Sequence, residues 1–245
     1  MKQPVAGHID PAGTHTLQVI AKANRFNEWM YTTIRPFLKG EILEIGSGIG
    51  NISQFAIREG LFITLSDINP QYQQLLTEKF SAQSNVKGVY SMDLQHPSFT
   101  DQYQHEKEKY DTVFYLNVIE HLEHDAVAIA NSHFLLKKGG NLIILAPAYN
   151  WLYCRIDKEL GHHRRYTLKR LASLFPSSRF SILQQQYFNV IGITGWFLFG
   201  KLLGKKQIDS GEMSVFNRLV PLFKLADRIC FKKTGLSAIV IAQKK

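Results

Sequence analysis

Short apolar runs alternate with segments of helical periodicity through the middle of the chain. The predicted strands cover residues 41–45, 61–65, 86–92, 110–116 and 141–146, and the predicted helices between them cover 51–59, 69–80 and 125–136. A turn is predicted at 137–140, where the sequence is KKGG. The strands are nearly continuous apolar runs, which is typical of a parallel sheet with helices on both faces.

Both ends of the chain differ from this alternating core. Residues 1–16 are rich in Gly, Pro, His and Thr and predict a loose arm, whereas 17–38 have helical spacing and predict a helical cap. Residues 180–187 alternate as an edge strand does, and 237–242 predict a last strand. We therefore divide a single domain into arm and cap (1–38), core (39–187), insert (188–236) and last strand (237–245).

Composition narrows the class of protein. The chain has 245 residues, of which 45% are hydrophobic and 12% aromatic, so it is long and apolar enough to bury a core and is not disordered. The longest nearly uncharged stretch, 190–200, is too short for a membrane span. Two cysteines do not make a disulfide framework, and no apolar run opens the sequence, so we expect a cytoplasmic protein.

Charge is distributed unevenly along the chain. Residues 1–150 carry a net charge of −3 and residues 151–245 a net charge of +12, which together give the overall +9. A basic half of this kind favours an anionic substrate, a lipid surface or nucleic acid, and a solvated basic face has the same composition. No RNA-binding module is recognisable, so nucleic acid is the less favoured partner.

A glycine-rich turn follows the first predicted strand. The sequence from Glu44 to Gly50 is EIGSGIG, and glycines let the backbone pass close beneath a ligand. Asp67 ends the second strand, where a carboxylate can accept both hydroxyls of a ribose, and Asp93 ends the third. These strand ends meet at one edge of a parallel sheet, so the sequence predicts a nucleoside site there.

Spacing of the glycines argues against a dinucleotide. The fingerprint G-x-G-x-x-G counted from Gly46 requires a third glycine at position 51, which is Asn51. No Gly-Lys-Ser/Thr follows the turn, so a phosphate loop is also excluded. A ligand without a pyrophosphate is favoured, although an NAD-type oxidoreductase stays open as an alternative.

These features, together with the segment NVIEHL at 117–122, resemble the class I S-adenosylmethionine-dependent methyltransferases, in particular their small-molecule branch. The resemblance covers about residues 25–150. It implies a Rossmann-like α/β fold with a seven-stranded, mostly parallel sheet whose last strand is antiparallel. It also implies S-adenosylmethionine (SAM) as cofactor and S-adenosylhomocysteine as product. The cofactor-binding residues that it implies are Glu44, Gly46, Ser47, Gly48, Gly50, Asp67, Ile68, Met92, Asp93, Leu94, Asn117 and Val118.

A second segment, DKELGHHRRYT at 157–167, is similar to a D-x-x-x-G-H-x-R-R-Y-T stretch that recurs in a subgroup of these enzymes near glycan or lipid biosynthesis. The candidates in this segment for binding an anionic acceptor are Arg164, Arg165 and Tyr166, because a guanidinium group binds a carboxylate or phosphate with two hydrogen bonds. Pairing of the arginines with acids of the protein is the structural alternative.

Methyl transfer to oxygen also needs a base near the acceptor. His121 follows the fourth strand, and His162 and His163 lie in the segment after the fifth, so these three are the candidate bases or acceptor ligands. A structural role for each is the alternative. No His/Asp group has metal-ligand spacing along the sequence, so no metal is expected.

The insert has the composition of an interfacial helix pair. Its second half places Phe216, Leu219, Val220, Phe223 and Cys230 on one helical face and basic residues elsewhere. We expect either a lid that takes a lipid-linked acceptor at the inner face of the membrane, or a stripe that packs on the sheet or on a second subunit.

The sequence therefore predicts methyl transfer, at oxygen, to a small-molecule or lipid-linked, anionic acceptor held above strands four and five. A non-catalytic methyltransferase-like subunit and an RNA methyltransferase are the remaining alternatives. The oligomeric state is left open.

Overall fold

A computed structural model describes residues 11–245, and residues 1–10 of the predicted arm lie outside the described part. Its centre is one sheet of seven strands in the order β3-β2-β1-β4-β5-β7-β6. The strands are β1 (Ile42–Ile45), β2 (Ile63–Ser66), β3 (Val86–Tyr90), β4 (Tyr110–Leu116), β5 (Leu136–Pro147), β6 (Phe180–Phe188) and β7 (Ser237–Lys244).

Strands β1 to β5 pair in parallel, and β7 lies antiparallel between β5 and β6. The predicted Rossmann-like sheet with an antiparallel last strand is therefore confirmed. Strand β5 begins at Leu136, whereas the predicted strand begins at 141. Residues 136–140, predicted in part as a turn, belong to the strand, and the register of β5 against β4 shifts within this stretch.

The α-helices of residues 11–245 follow one another along the chain in this order. They are α1 (Pro11–Ala21), α2 (Asn24–Ile34), α3 (Ser53–Arg58), α4 (Pro70–Phe80), α5 (Phe99–Gln102), α6 (Asp125–Leu135), α7 (Arg155–Glu159), α8 (Leu168–Ser173), α9 (Val190–Gly195) and α10 (Ser210–Ile229). A π-helical turn, Trp196–Leu202, continues α9. No helix of residues 11–245 is at once long enough and apolar enough to cross a bilayer.

Apolar side chains fill both faces of the sheet, as the continuous apolar strands predict. Successive residues of β1 alternate between the two: Leu43 and Ile45 join a core with α6 and α8, and Ile42 joins a core with α2, α3 and α10. Both cores are buried and mainly apolar.

The predicted loose arm is partly wrong, because residues 11–16 belong to α1. Its Val19 packs with Ala23 and Met213, a residue of α10 almost two hundred positions away. Asn51 of the glycine turn also donates its side-chain amide to the carbonyl of Leu17 at 3.0 Å. Helix α1 is thereby held over the turn, which places the helical cap against the predicted cofactor site.

The predicted apolar face of α10 packs mostly inward. Val220 is buried, and Phe216 and Phe223 pack against the core that contains α2, so the structural alternative is confirmed for these three. Helix α10 has a second apolar stripe, formed by Val215, Leu219, Leu222, Leu225 and Ile229, and this one is exposed.

Candidate active site at the carboxyl edge of the sheet

The glycine turn is tied to the end of β2. The backbone N–H of Ser47 donates to the carbonyl of Ser66 at 2.9 Å, and the N–H of Gly48 donates to Oδ2 of Asp67 at 2.9 Å. Gly46 has a φ of +68°, and a Cβ built there would lie 2.5 Å from Cγ2 of Val118. The turn therefore requires glycine at 46 and lies directly against the segment that follows β4.

Asp67 closes β2 and is buried. Its Oδ1 accepts the N–H of Asn69 at 2.9 Å while Oδ2 holds Gly48, and each oxygen keeps a second lone pair. Burial raises the pKa of Asp67, and backbone hydrogen bonds from Asn69, Gly48 and Ile68 oppose that rise. Next to it, Ile68 is 66% exposed, an apolar side chain left uncovered beside a carboxylate.

Glu44 lies beneath the turn and is fully buried. Ser53 of α3 donates its hydroxyl to the Glu44 carboxylate. Burial nevertheless raises the pKa of Glu44 to about 8. This carboxyl is therefore largely protonated at neutral pH, and it lies in the wall of the site.

The end of β3 contributes both apolar and acidic side chains to the site. Met92 and Leu94 are buried, and Asp93 between them is partly exposed and accepts the N–H of Gln95 at 2.8 Å. At the fourth strand end, Asn117 has a φ of +56° and donates its backbone N–H to Leu145 of β5 at 2.8 Å. The structure thus brings the predicted cofactor residues of four strands to one edge.

The loop after β5 folds back on the turn after β4. The N–H of His163 donates to the carbonyl of Glu120 at 2.8 Å, and the rings of His121 and His162 meet edge to face with centroids 4.7 Å apart. Two of the three candidate bases are therefore neighbours, although forty residues separate them, and His163 is exposed beside them.

His162 is oriented by Asp157. Nδ1 of His162 lies 2.8 Å from Oδ1 of Asp157, and its side chain is only 7% exposed. The pKa of Asp157 is lowered: burial would raise it, but the hydrogen bond from His162 and the charge of Arg165 outweigh burial. The Asp157 oxygen is therefore the acceptor of the hydrogen bond with His162. Nδ1 then carries a proton, and Nε2 of His162 faces Glu120, 3.9 Å from its Oε1.

His121 and Glu120 have shifted pKa values. The ring of His121 is partly screened from water although the residue is exposed, and this desolvation, with the two neighbouring imidazoles, lowers its pKa to about 4. Burial raises the pKa of Glu120 to about 7. His121 is therefore neutral at pH 7, as a base must be.

The candidates for acceptor binding make contacts within the protein. Arg165 is 1% exposed, donates Nε to Asp157 at 2.8 Å and stacks on Trp196. Tyr166 is fully buried and donates its hydroxyl to Asp125 at 3.1 Å, and Arg164 donates to the same carboxylate at 3.0 Å. Burial of Arg165 and Tyr166 corrects the expectation that they face an acceptor. They fix the loop instead.

Sequence reasoning gave Glu120 and Asp157 only structural roles and did not include them among the candidate site residues. Both are fully buried carboxylates, and both lie in the segments that carried the resemblance. Their positions in NVIEHL and DKELGHHRRYT were available as a signal. Only the fold places them on either side of His162.

Comparison with known proteins bears on the fold of the core. Residues 43–142 match the family model described as "Methyltransferase domain". No curated protein is similar enough in sequence to match the chain.

Solved structures share the fold over most of the chain. A SAM-dependent methyltransferase from Archaeoglobus fulgidus has 19% identity and a TM-score of 0.58, with 89% of this chain and 94% of that chain covered. Phosphoethanolamine N-methyltransferase 2 from Haemonchus contortus, in complex with SAM, has 16% identity and a TM-score of 0.60, with 91% and 56% covered. The CurJ carbon methyltransferase has 13% identity and a TM-score of 0.57, with 90% and 53% covered. The last two are named for methyl transfer to nitrogen and to carbon, so the shared fold does not determine the acceptor.

Proposed function

We propose that this chain, whose residues 43–142 match a methyltransferase family model, transfers the methyl group of SAM to an oxygen of a small or lipid-linked acceptor. The observation that carries the proposal is the link between Asp67 and Gly48. It joins a carboxylate with free lone pairs to a turn of bare backbone at the edge where α/β folds bind nucleosides.

Each strand end has a role in holding the cofactor. Asp67 accepts the ribose hydroxyls, and exposed Ile68 gives the adenine an apolar surface to cover. Met92, Asp93 and Leu94 border the adenine on its other side. The segment that holds Glu44, Gly46, Ser47, Gly48 and Gly50 lies under the methionine part, and Asn117 and Val118 lie near the methyl group.

Bound SAM would supply a methyl carbon on a sulfonium, which the acceptor oxygen would attack in line, with S-adenosylhomocysteine as the leaving group. The oxygen forms the new C–O bond as the S–C bond breaks, and its proton must leave to a base. Nε2 of His162 has the lone pair for this, with Asp157 stabilising the imidazolium that forms. The chain's main contribution is alignment of the two reactants above β4 and β5, which is worth about 7–11 kcal/mol in favourable cases.

A surface of the insert supports a lipid-linked acceptor. Phe197, Leu198, Leu202 and Leu203 are exposed on the π-helical turn and the residue after it, and the ring of Phe197 lies 6.2 Å from exposed Trp151, which follows β5. Residues 151–245 carry a net charge of +12, which favours anionic lipid. We propose that this surface contacts the inner face of the membrane and receives the acceptor there.

The catalytic proposal is tested with SAM labelled in its methyl group. Purified protein is incubated with labelled SAM and with lipid and aqueous extracts in turn, and S-adenosylhomocysteine and label transfer are both measured. We expect transfer into an acid-stable, oxygen-linked methyl group, and its loss in Asp67→Ala. Cofactor binding without transfer to any acceptor pool would instead indicate a non-catalytic binding subunit.

The membrane proposal has its own experiment. Sedimentation with vesicles that contain anionic phospholipid should recover the protein at low salt, and the double change Leu202→Glu with Leu203→Glu should abolish recovery. The matched control is Leu75→Glu, since Leu75 is an exposed leucine on α4. Equal recovery of both variants, or none of the unaltered protein, contradicts the membrane contact.

A further inference from the structure

Three side chains next to the expected methyl-transfer position form a set of metal-binding groups. Glu120, His121 and His162 each offer one ligand atom, and these three atoms all lie within 4.8 Å of one another. Metal bonds to nitrogen and oxygen are about 2.0–2.2 Å long, so ligand atoms in a tetrahedral site are about 3.3–3.6 Å apart. Movements of about 0.5–1 Å in each side chain would bring the set onto one ion.

The carboxylate of Glu120 needs a partner that the protein does not provide. The residue is fully buried, and within residues 11–245 neither Oε1 nor Oε2 accepts a hydrogen bond. A buried carboxylate without hydrogen bonds is costly, and such groups are usually paired or bound to a metal. Nε2 of His162 lies 3.9 Å from Oε1 of Glu120, beyond hydrogen-bond distance.

His162 already has the support that metal-binding histidines have. Its Nδ1 is held by Asp157 at 2.8 Å, which fixes the ring and leaves Nε2 for a ligand. Asp157 is fixed in turn by Arg165 and by the backbone N–H of Cys154 at 2.9 Å. His121, the most exposed of the three, gives the set an open side toward solvent.

We propose that Glu120, His121 and His162 bind one divalent transition-metal ion, with zinc as the favoured ion for two imidazoles and one carboxylate. Three protein ligands leave a coordination position open. If the proposed function holds, that position receives the acceptor oxygen, and the ion lowers the pKa of its hydroxyl. The ion occupies the Nε2 lone pair of His162, so in the metal-bound protein it replaces that imidazole in promoting deprotonation, and the proton leaves to solvent through the open side at His121.

Metal binding is measured directly on the full chain. Protein freed of metal with a chelator is titrated with Co²⁺, whose visible spectrum reports ligand geometry, and then with Zn²⁺ in competition. We expect one equivalent of Co²⁺ in a four-coordinate spectrum, displaced by one equivalent of Zn²⁺. His121→Ala and Glu120→Gln should each weaken binding by at least tenfold and remove the spectrum.

The control variant is His163→Ala, because His163 is exposed, adjacent in sequence and outside the set. Exposed His121 can be replaced without disturbing the core, so its result stands if Glu120→Gln fails to fold. Absence of binding, or equal binding by His121→Ala and His163→Ala, overturns the inference.

A parallel titration of metal-free protein with S-adenosylhomocysteine separates the two proposals. Binding of that product without any metal binding would remove the metal site and leave the proposed function. Metal binding without nucleoside binding would do the reverse.

Discussion

Replacement of Asp67 should separate cofactor binding from folding. In Asp67→Ala the ribose loses a charged acceptor, and hydrogen bonds to charged groups contribute about 1.5–3 kcal/mol. The affinity for S-adenosylhomocysteine should therefore fall about 10- to 150-fold. Isothermal titration calorimetry measures it directly.

The same change also has a cost in the unliganded protein. Gly48 and Asn69 each lose the acceptor of a backbone N–H, and the one at Gly48 is buried. Unfolding in urea should show a loss of about 1–3 kcal/mol. Asp67→Asn keeps the shape but turns an amide donor toward one of these N–H groups, so it should not restore stability.

Asp101→Asn is the matched control, because Asp101 is exposed on α5 and ends no strand. It should leave both the affinity and the unfolding curve unchanged. A folded Asp67→Ala protein that binds S-adenosylhomocysteine as tightly as the control would refute the assignment of Asp67 to the ribose.

Three further predictions concern buried groups around the site. Because the pKa of Glu44 is raised from 4.5 to about 8, the folded state keeps a proton that the unfolded chain has released, so stability falls as pH rises through this interval. Glu44→Gln should flatten that dependence by up to about 1.4 kcal/mol per pH unit in urea titrations, and an unchanged slope would contradict it. Gly50→Ala puts a Cβ 2.5 Å from Phe80 at a φ of +78° and should lower stability by about 1–3 kcal/mol; a neutral effect in thermal unfolding would disprove the strain. Asp157→Asn leaves Arg165 buried without its counter-charge and should cost about 3–5 kcal/mol, whereas a loss below 1 kcal/mol in the same assay would show that the pair is not structural.

The core of the fold could be predicted because its strands are continuous apolar runs with glycine and acidic residues at their ends. The first half of helix α1, residues 11–16, was not predicted, since α1 is held in place by the contact of Val19 with Met213, and local composition carries no record of that partner. Helix α10 carries apolar residues on two faces, and periodicity alone does not determine that Val220 turns inward while Leu222 is exposed.

Part of the candidate site could also be predicted from the sequence, and part could not. Asp67 and the glycine turn are adjacent to recognisable strand ends, so their meeting follows from the rule for parallel sheets. The meeting of Glu120 and His162 depends on how the loop after β5 folds back, and no sequence spacing specifies it. Arg165 was open between two roles, and its burial beside Asp157 assigns it to the structure.

The most direct test of the account is a crystal structure of the protein grown with S-adenosylhomocysteine. We expect both ribose hydroxyls on the Asp67 carboxylate, the adenine against Ile68, and the sulfur near Asn117. An empty edge under saturating ligand, or a dinucleotide bound there in preference, would contradict the central claim.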